Sequence, residues 1–258
     1  MRLIRDELGE KAYKEENIFY RDLGRALEGL RDVTSLLETI RLLKNRFEDY
    51  IKPETFQPLE NYLLDERAAL KTKQLQNGNR IKNVILELQQ SSGRIEHLPI
   101  EPDCWEEVLS SVKRVYKRGY DAYHNNLNEP TSESMHEWRK RVKYLWYHHR
   151  LLRKAWPEIM TGFRHQCKDL SDMLGDYHDL ALLKNKMADI QVQLPGETVQ
   201  VLDALASKQQ ETLLEKSYLL GERIYAEKPK AFSRRLEHYL NAWRRERNTI
   251  TPKKEVEI

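Results

Sequence analysis

Residues 23–37 read LGRALEGLRDVTSLL. Leu23, Leu27, Leu30, Val33, Leu36 and Leu37 recur mostly at steps of three and four, which lines up one face of a helix. The same spacing continues through most of the 258 residues, and the period-two alternation of half-buried strands is scarce. The expected fold class is therefore all-α. Helix-stopping residues gather at 53–58, 76–79 (QNGN), 91–103 (SSGRIEHLPIEPD), 125–132 (NNLNEPTS), 156–157, 175–176, 194–198 and Pro229. These breaks predict about nine helices. The widest of them, 91–103, serves as the boundary between two halves.

The halves resemble each other. Residues 170–183 read LSDMLGDYHDLALL, and at one constant offset Leu23, Leu27, Asp32 and Leu36 fall on Leu170, Leu174, Asp179 and Leu183. Arg2-Leu3-Ile4-Arg5 echoes Arg150-Leu151-Leu152-Arg153 in nearly the same register. A duplicated helical bundle is expected, with a first half-domain over 1–98, a second over 99–250 and a flexible tail over 251–258. By this match the first-half counterpart of the helix beginning near His136 falls mostly before Met1.

Composition narrows the class. Gly and Pro are sparse, charged residues make up 33% and apolar ones 40%, which suits amphipathic helices and excludes collagenous or low-complexity chains. No apolar window approaches the ~18 residues of a membrane span, and the opening MRLIRDELGEK lacks a signal-peptide core, so a cytoplasmic protein is expected. Cys104 and Cys167 have no CxxC spacing and read as reduced packing residues, with no cofactor or metal implied. A net charge of +3 is far from that of a general nucleic-acid coater.

The distribution of charge says more. Between His136 and Lys154 stand Arg139, Lys140, Arg141, Lys143, Arg150, Arg153 and Lys154 against the single acid Glu137. Thr131 and Ser132 offer hydroxyl caps and Glu133 an acid for the first turn of a helix reaching about Lys154. At ~100° per residue, His136, Arg139, Lys140, Lys143, Tyr147, Arg150 and Lys154 share one face, and Trp138, Val142, Leu145 and Leu152 take the other. Like charges at i,i+4 cost ~0.2–0.5 kcal/mol per pair, a cost that an anionic partner removes. A charge run of this kind is most often a solvated face, or one paired with acids of neighbouring helices such as Glu106, Glu107, Asp172 or Asp176. Against that stands a second basic band on the preceding helix, Lys113, Arg114, Lys117 and Arg118. Arg21, Arg25 and Arg31 extend the pattern into the first half, although Asp22, Glu28 and Asp32 accompany them. A further cluster, Lys228, Lys230, Arg234, Arg235, Arg244, Arg245 and Arg247, lies on a terminal helix whose bases are expected mostly to face water.

The run MHEWRKRVKYLWYHHRLL, followed by LSDMLGDYHDLALL and preceded by VYKRGYDAY and ENIFYRDLGRALEGLRDVTSLLETI, resembles the CHAD proteins, the conserved-histidine α-helical domain family. Its H-x-x-R-K-x-x-K core stands at His136, Arg139, Lys140 and Lys143. The resemblance implies two four-helix bundles related by pseudo-twofold symmetry, with a basic groove that binds inorganic polyphosphate, and association with polyphosphate granules. It implies ligand contacts at His136, Arg139, Lys140 and Lys143, with support from Lys117, Arg118, Arg21, Arg25 and Arg31, and it matches His178 to a family histidine. Family members usually carry a first-half copy of the histidine-and-base helix. Here only its tail, residues 2–8, matches, so two expectations stand side by side: the given chain starts late, or the first bundle lacks its first helix and the site is lopsided.

Polyphosphate offers about one negative charge per phosphate and no bases, so recognition rests on the spacing of ammonium and guanidinium groups. Binding without catalysis is expected. Two rivals use other residues. RNA or DNA would stack on Trp138, Tyr144, Trp146 and Tyr147, although Trp138 belongs to the core stripe. A metal-dependent phosphohydrolase would build on His178-Asp179 with His136, His165 and Asp172. The simpler reading of that segment has Gly175 ending a helix, Asp176 capping the next, and Asp179 and its counterpart Asp32 in first turns. Of the adjacent pair His148-His149, one is expected to pack inward.

Overall fold

The computed structural model describes residues 2–76, 80–98, 100, 105–128 and 130–250. The tail at 251–258 and Cys104 lie outside the described residues. As expected, the fold is all-α. Nine α-helices occupy the described residues: α1 Arg5–Arg25, α2 Glu28–Arg46, α3 Gln57–Gln76, α4 Arg80–Glu96, α5 Trp105–Asn128, α6 Ser132–Leu152, α7 Pro157–Asp189, α8 Gly196–Ile224 and α9 Pro229–Ile250. Short 3₁₀ turns stand at Arg2–Ile4, Pro53–Phe56, Arg153–Ala155 and Gln191–Gln193. No helix among the described residues is long and apolar enough to cross a membrane.

Three breaks differ from expectation. The quoted run at 23–37 is two helices, because the chain turns at Ala26 and Leu27, where Leu27 N–H donates to Gly24 O at 3.1 Å. Leu27 is left exposed rather than in the core. Nothing stops α7 at Gly175-Asp176. A mid-helix glycine costs about 1 kcal/mol, and the burial of Leu170, Leu174, Leu180 and Leu183 on either side outweighs it. Asp179 and Asp32 are therefore interior helical residues, not first-turn acids, and Asp179 accepts a hydrogen bond from Ser35 Oγ at 2.7 Å. At 91–96 the helix α4 continues, with Ser91 buried and bonded by Tyr20 Oη at 3.0 Å.

The chain divides into two compact units. The first comprises Leu8–Ile100 and Gly175–Leu214. Its core is mainly aliphatic: Val33, Leu36, Ile40 and Leu43 of α2 and Leu59 and Leu63 of α3 are buried, as are Leu180, Leu183 and Met187 of α7, and among the described residues of this unit Phe56 is the one large ring that is fully buried. Lys44 pairs with Glu60, and Lys186 Nζ reaches Glu66 at 2.8 Å.

The second unit comprises Arg2–Glu7, Glu101–Leu174 and Glu215–Ile258, and its core is aromatic. Tyr116 stacks on Phe232 with centroids 3.8 Å apart, and Trp138 stacks on Tyr218 at 5.8 Å. Two glycines make room for these rings. A Cβ on Gly221 would stand 2.7 Å from Trp138 Cζ2, and one on Gly119 would collide with the Tyr225 hydroxyl. The chain passes from Arg2–Glu7 into the first unit beside Gly9, whose φ of 73° kinks α1 in a conformation open to glycine.

Candidate functional site

The start of α6 is fixed locally, as the sequence suggested. Thr131 Oγ1 accepts from Ser134 N–H at 3.1 Å, and Ser134 Oγ accepts from Thr131 N–H at 2.9 Å, a reciprocal cap. Ser134 Oγ also donates to the buried Asn126 at 2.7 Å, which ties α6 to the end of α5. With the register set, Met135, Trp138, Val142, Leu145 and Leu152 are buried, and His136, Arg139, Lys140 and Lys143 are half-buried. Tyr147, Arg150 and Lys154 lie open to solvent. The face of cations and the face of core residues separate as the spacing predicted.

The local acids are where electrostatics departs from the simplest expectation. Glu137 pairs with Lys140 and, at 2.7 Å, with Arg141. Hydrogen bonding from Lys140 holds the Glu137 carboxyl below its ordinary range. Lys117 pairs with Asp121 at 2.6 Å. By contrast, among the described residues no carboxylate stands within ion-pair distance of Arg118, Arg139 or Arg150. The Nε–H of Arg139 is buried and donates to nothing. Burial, reinforced by Lys140 and Arg139, pushes the His136 imidazole below its usual pKa and keeps it neutral.

α7 adds two cations that sequence reading missed, Arg164 and Lys168. Trp146, read from the sequence only as a stacking candidate, lies two turns beyond Arg139 on α6, and Lys168 of α7 stands 5.9 Å from its ring centroid. Arg164 precedes Lys168 by one helical turn. The indole N–H of Trp146 and the Nε–H of Arg164 are both buried without an acceptor. Lys168 itself pairs with Asp172, and an Arg164 Nη donates to His165 Nε2 at 2.7 Å. Arg2, from the amino-terminal turn, lies 4.3 Å over the Tyr144 ring. The one available signal was the four-residue spacing of Arg164 and Lys168; which helix they adjoin is decided by packing alone.

The remaining sequence candidates belong to the first unit and have different surroundings. Arg21 and Arg25 share Asp22, at 3.0 and 3.6 Å, and all three side chains are about half exposed. Arg31 lines a cavity of about 510 Å³ with Leu30, Thr34, Glu38 and Ile81. His178 is half-buried on α7 next to Asp179. Burial, with the charges of Glu28 and Asp179 nearby, raises the Asp32 carboxyl. Among the described residues no group of three or more His, Cys, Asp or Glu is arranged to hold a metal ion.

His148 and His149 are both buried, where only one was expected to pack inward. The core reaches round more of α6 than its apolar stripe: His149 Nδ1 lies 2.9 Å from Leu145 O, and its ring meets Phe163 and Phe232 at 4.6 and 5.9 Å. Burial pushes both imidazoles down to about 4, with the neighbouring His149 and the charges of Arg2 and Arg114 adding to the effect on His148. Cys167, likewise buried, keeps its proton.

No curated protein and no solved structure matches the chain. The family model for the CHAD domain matches residues 1–188, a span that takes in the cap, the cationic helix α6 and the segment around His178. On that match the chain belongs to the CHAD domain family.

Proposed function

We propose that the protein binds inorganic polyphosphate, without transforming it, on the cationic face of α6. The observation that carries this is a set of buried donors without acceptors, Arg139 Nε–H and Trp146 Nε1–H on α6 and Arg164 Nε–H on α7. An unpaired buried donor costs ~1–3 kcal/mol, so these three N–H groups, with Lys168 beside the Trp146 ring, are donors that an oxyanion would satisfy. Turns of α6 are ~5.4 Å apart, so Arg139, Lys143 and Trp146 meet successive phosphates of one linear chain. Guanidinium and ammonium groups suit that ligand because it offers only charged oxygens. CHAD membership agrees with this reading, which would place the protein on polyphosphate granules.

His136 adds a pH dependence. Its pKa is depressed in the free protein, and a polyanion alongside raises it. Binding therefore takes up protons and weakens as pH rises through the range between the two values. The test is a calorimetric titration of the full chain with polyphosphate of defined length, across a salt series and in buffers of different ionisation enthalpy. Log K should fall steeply with log salt, proton uptake should be positive, and polyphosphate should displace a bound oligonucleotide. A flat salt response, or efficient displacement of polyphosphate by the oligonucleotide, would overturn the assignment.

A further inference from the structure

The second unit carries two cavities on α9 that share a wall, and of the cationic face discussed above only Lys154, beyond the end of α6, lines either of them. One, of about 670 Å³, is lined by Lys228, Lys230, Arg234, Arg235, His238 and Tyr239. The other, of about 400 Å³, is lined by Trp156, Tyr239 and Trp243 together with Lys154, Glu158 and Glu246. Tyr239 belongs to both. The first is cationic: Arg235 is held by Glu227, Nη2 to Oε2 at 2.6 Å, but among the described residues no carboxylate lies within ion-pair distance of Lys228, Lys230 or Arg234. The second is aromatic, with Trp156 edge-on to Tyr239 at 4.8 Å and carboxylates at its rim. Arg235 and Trp243 are eight residues apart on one helix, about 12 Å at 1.5 Å per residue. That separation is of the order of the distance between the base and the terminal phosphates of a nucleotide.

We infer that these adjoining cavities form a binding site for a nucleoside triphosphate. The triphosphate lies against Lys228, Lys230 and Arg234, where point charges and a guanidinium fork meet its oxygens. The base lies against Trp156, Tyr239 and Trp243, whose partly exposed rings supply stacking surface. Glu158 and Glu246 are acceptors only, so they favour a base bearing an exocyclic amino group, such as adenine, over uracil. Neither cavity suffices alone, because inorganic triphosphate lacks the base and a nucleoside lacks the charge. The site stands apart from the polyphosphate face: α9 packs on the buried side of α6, where Phe232 meets His149, whereas Arg139 and Lys143 belong to the cationic side.

The test is a titration of the full chain with ATP, UTP, inorganic triphosphate and adenosine, read by calorimetry and by tryptophan fluorescence, since Trp156 and Trp243 both line the cavity. ATP should bind at least about tenfold more tightly than inorganic triphosphate or adenosine, and more tightly than UTP. With the α6 face removed by Arg139→Glu/Lys143→Glu, Arg234→Glu or Lys228→Glu should weaken ATP and triphosphate alike. Trp156→Ala should reduce ATP to the level of triphosphate, with Trp156→Phe restoring part of the difference. The double variant Arg139→Glu/Lys143→Glu should leave ATP binding unchanged while removing polyphosphate binding, so the two sites succeed or fail separately. Equal affinity for ATP and triphosphate in the unaltered chain, indifference to Trp156→Ala, or loss of ATP with the α6 variant would each overturn the nucleotide site.

Discussion

The arginines of α6 and α7 in the second unit and those of α1 in the first have the same chemistry and opposite settings. Arg139 and Arg164 are half-buried and keep N–H groups that donate to nothing, whereas Arg21 and Arg25 are exposed and share Asp22. An exposed, paired arginine is neutral toward stability, with a worth of ~0–1 kcal/mol. A buried N–H without an acceptor costs about 1–3 kcal/mol. The contrast separates exposed, acid-paired cations from half-buried ones that keep N–H groups without an acceptor, and a count of basic residues cannot make that separation.

The largest effect expected from the difference between the two units is on acid stability. His148 and His149 are buried neutral in the second unit, and their folded pKa values near 4 lie below the unfolded value. Their neutral form is the one the fold accepts, so their contribution is full above about pH 6.5 and is lost as pH falls toward 4. A drop of up to roughly 3 kcal/mol per residue follows from the size of the shift. Hydrogen exchange followed from pH 7 to 4 should show α5 and α6 opening before α2 and α3. Simultaneous opening of all four helices would remove the contrast.

The glycines give the next test. Gly119→Ala forces a methyl group into the Tyr225 hydroxyl, whereas nothing lies within 4 Å of a Cβ on Gly29 in α2. The first change should destabilise by about 1–3 kcal/mol through overpacking. The second should stabilise by about 0.4–1 kcal/mol through a less flexible unfolded chain. Thermal melts of the two variants should move in opposite directions, and a shared direction would show that the aromatic core is looser than the rings of Tyr116, Tyr225 and Phe232 suggest.

A smaller effect separates paired from unpaired cations. Arg139→Met removes an unsatisfied buried donor and should leave stability unchanged or raise it by about 1 kcal/mol, while weakening polyphosphate binding. Lys186→Met strands the half-buried Glu66 in the first unit and should lower stability without touching binding. Chemical denaturation with and without polyphosphate checks both; a loss of stability in Arg139→Met would mean that its guanidinium is already satisfied.

Most of the helices were legible because their apolar spacing repeats over many turns, and the α6 face was legible because the Thr131 cap and the Trp138–Val142–Leu145 stripe agree on one register. What the sequence hid was decided by packing. Buried leucines on both sides carry α7 through Gly175, whereas at Ala26 and Leu27 nothing packs well enough to hold a helix flanked by Gly24 and Gly29 together. Glu137 sits one turn from the cations it neutralises, so it was visible, yet its weight depends on rotamers that spacing does not specify. Arg164 and Lys168 gain their significance from lying on the helix whose Lys168 reaches Trp146, a proximity between helices that no periodicity reports.

The most direct measurement is a paired charge reversal read by titration with polyphosphate of defined length at fixed salt. Arg139→Glu/Lys143→Glu, on the cationic face of α6, should weaken binding by about a hundredfold or more. Arg21→Glu/Arg25→Glu, on the exposed and paired arginines of α1, should cost no more than a few-fold. Equal losses in the two variants, or undiminished binding after reversal on α6, would contradict the assignment of the site to that helix.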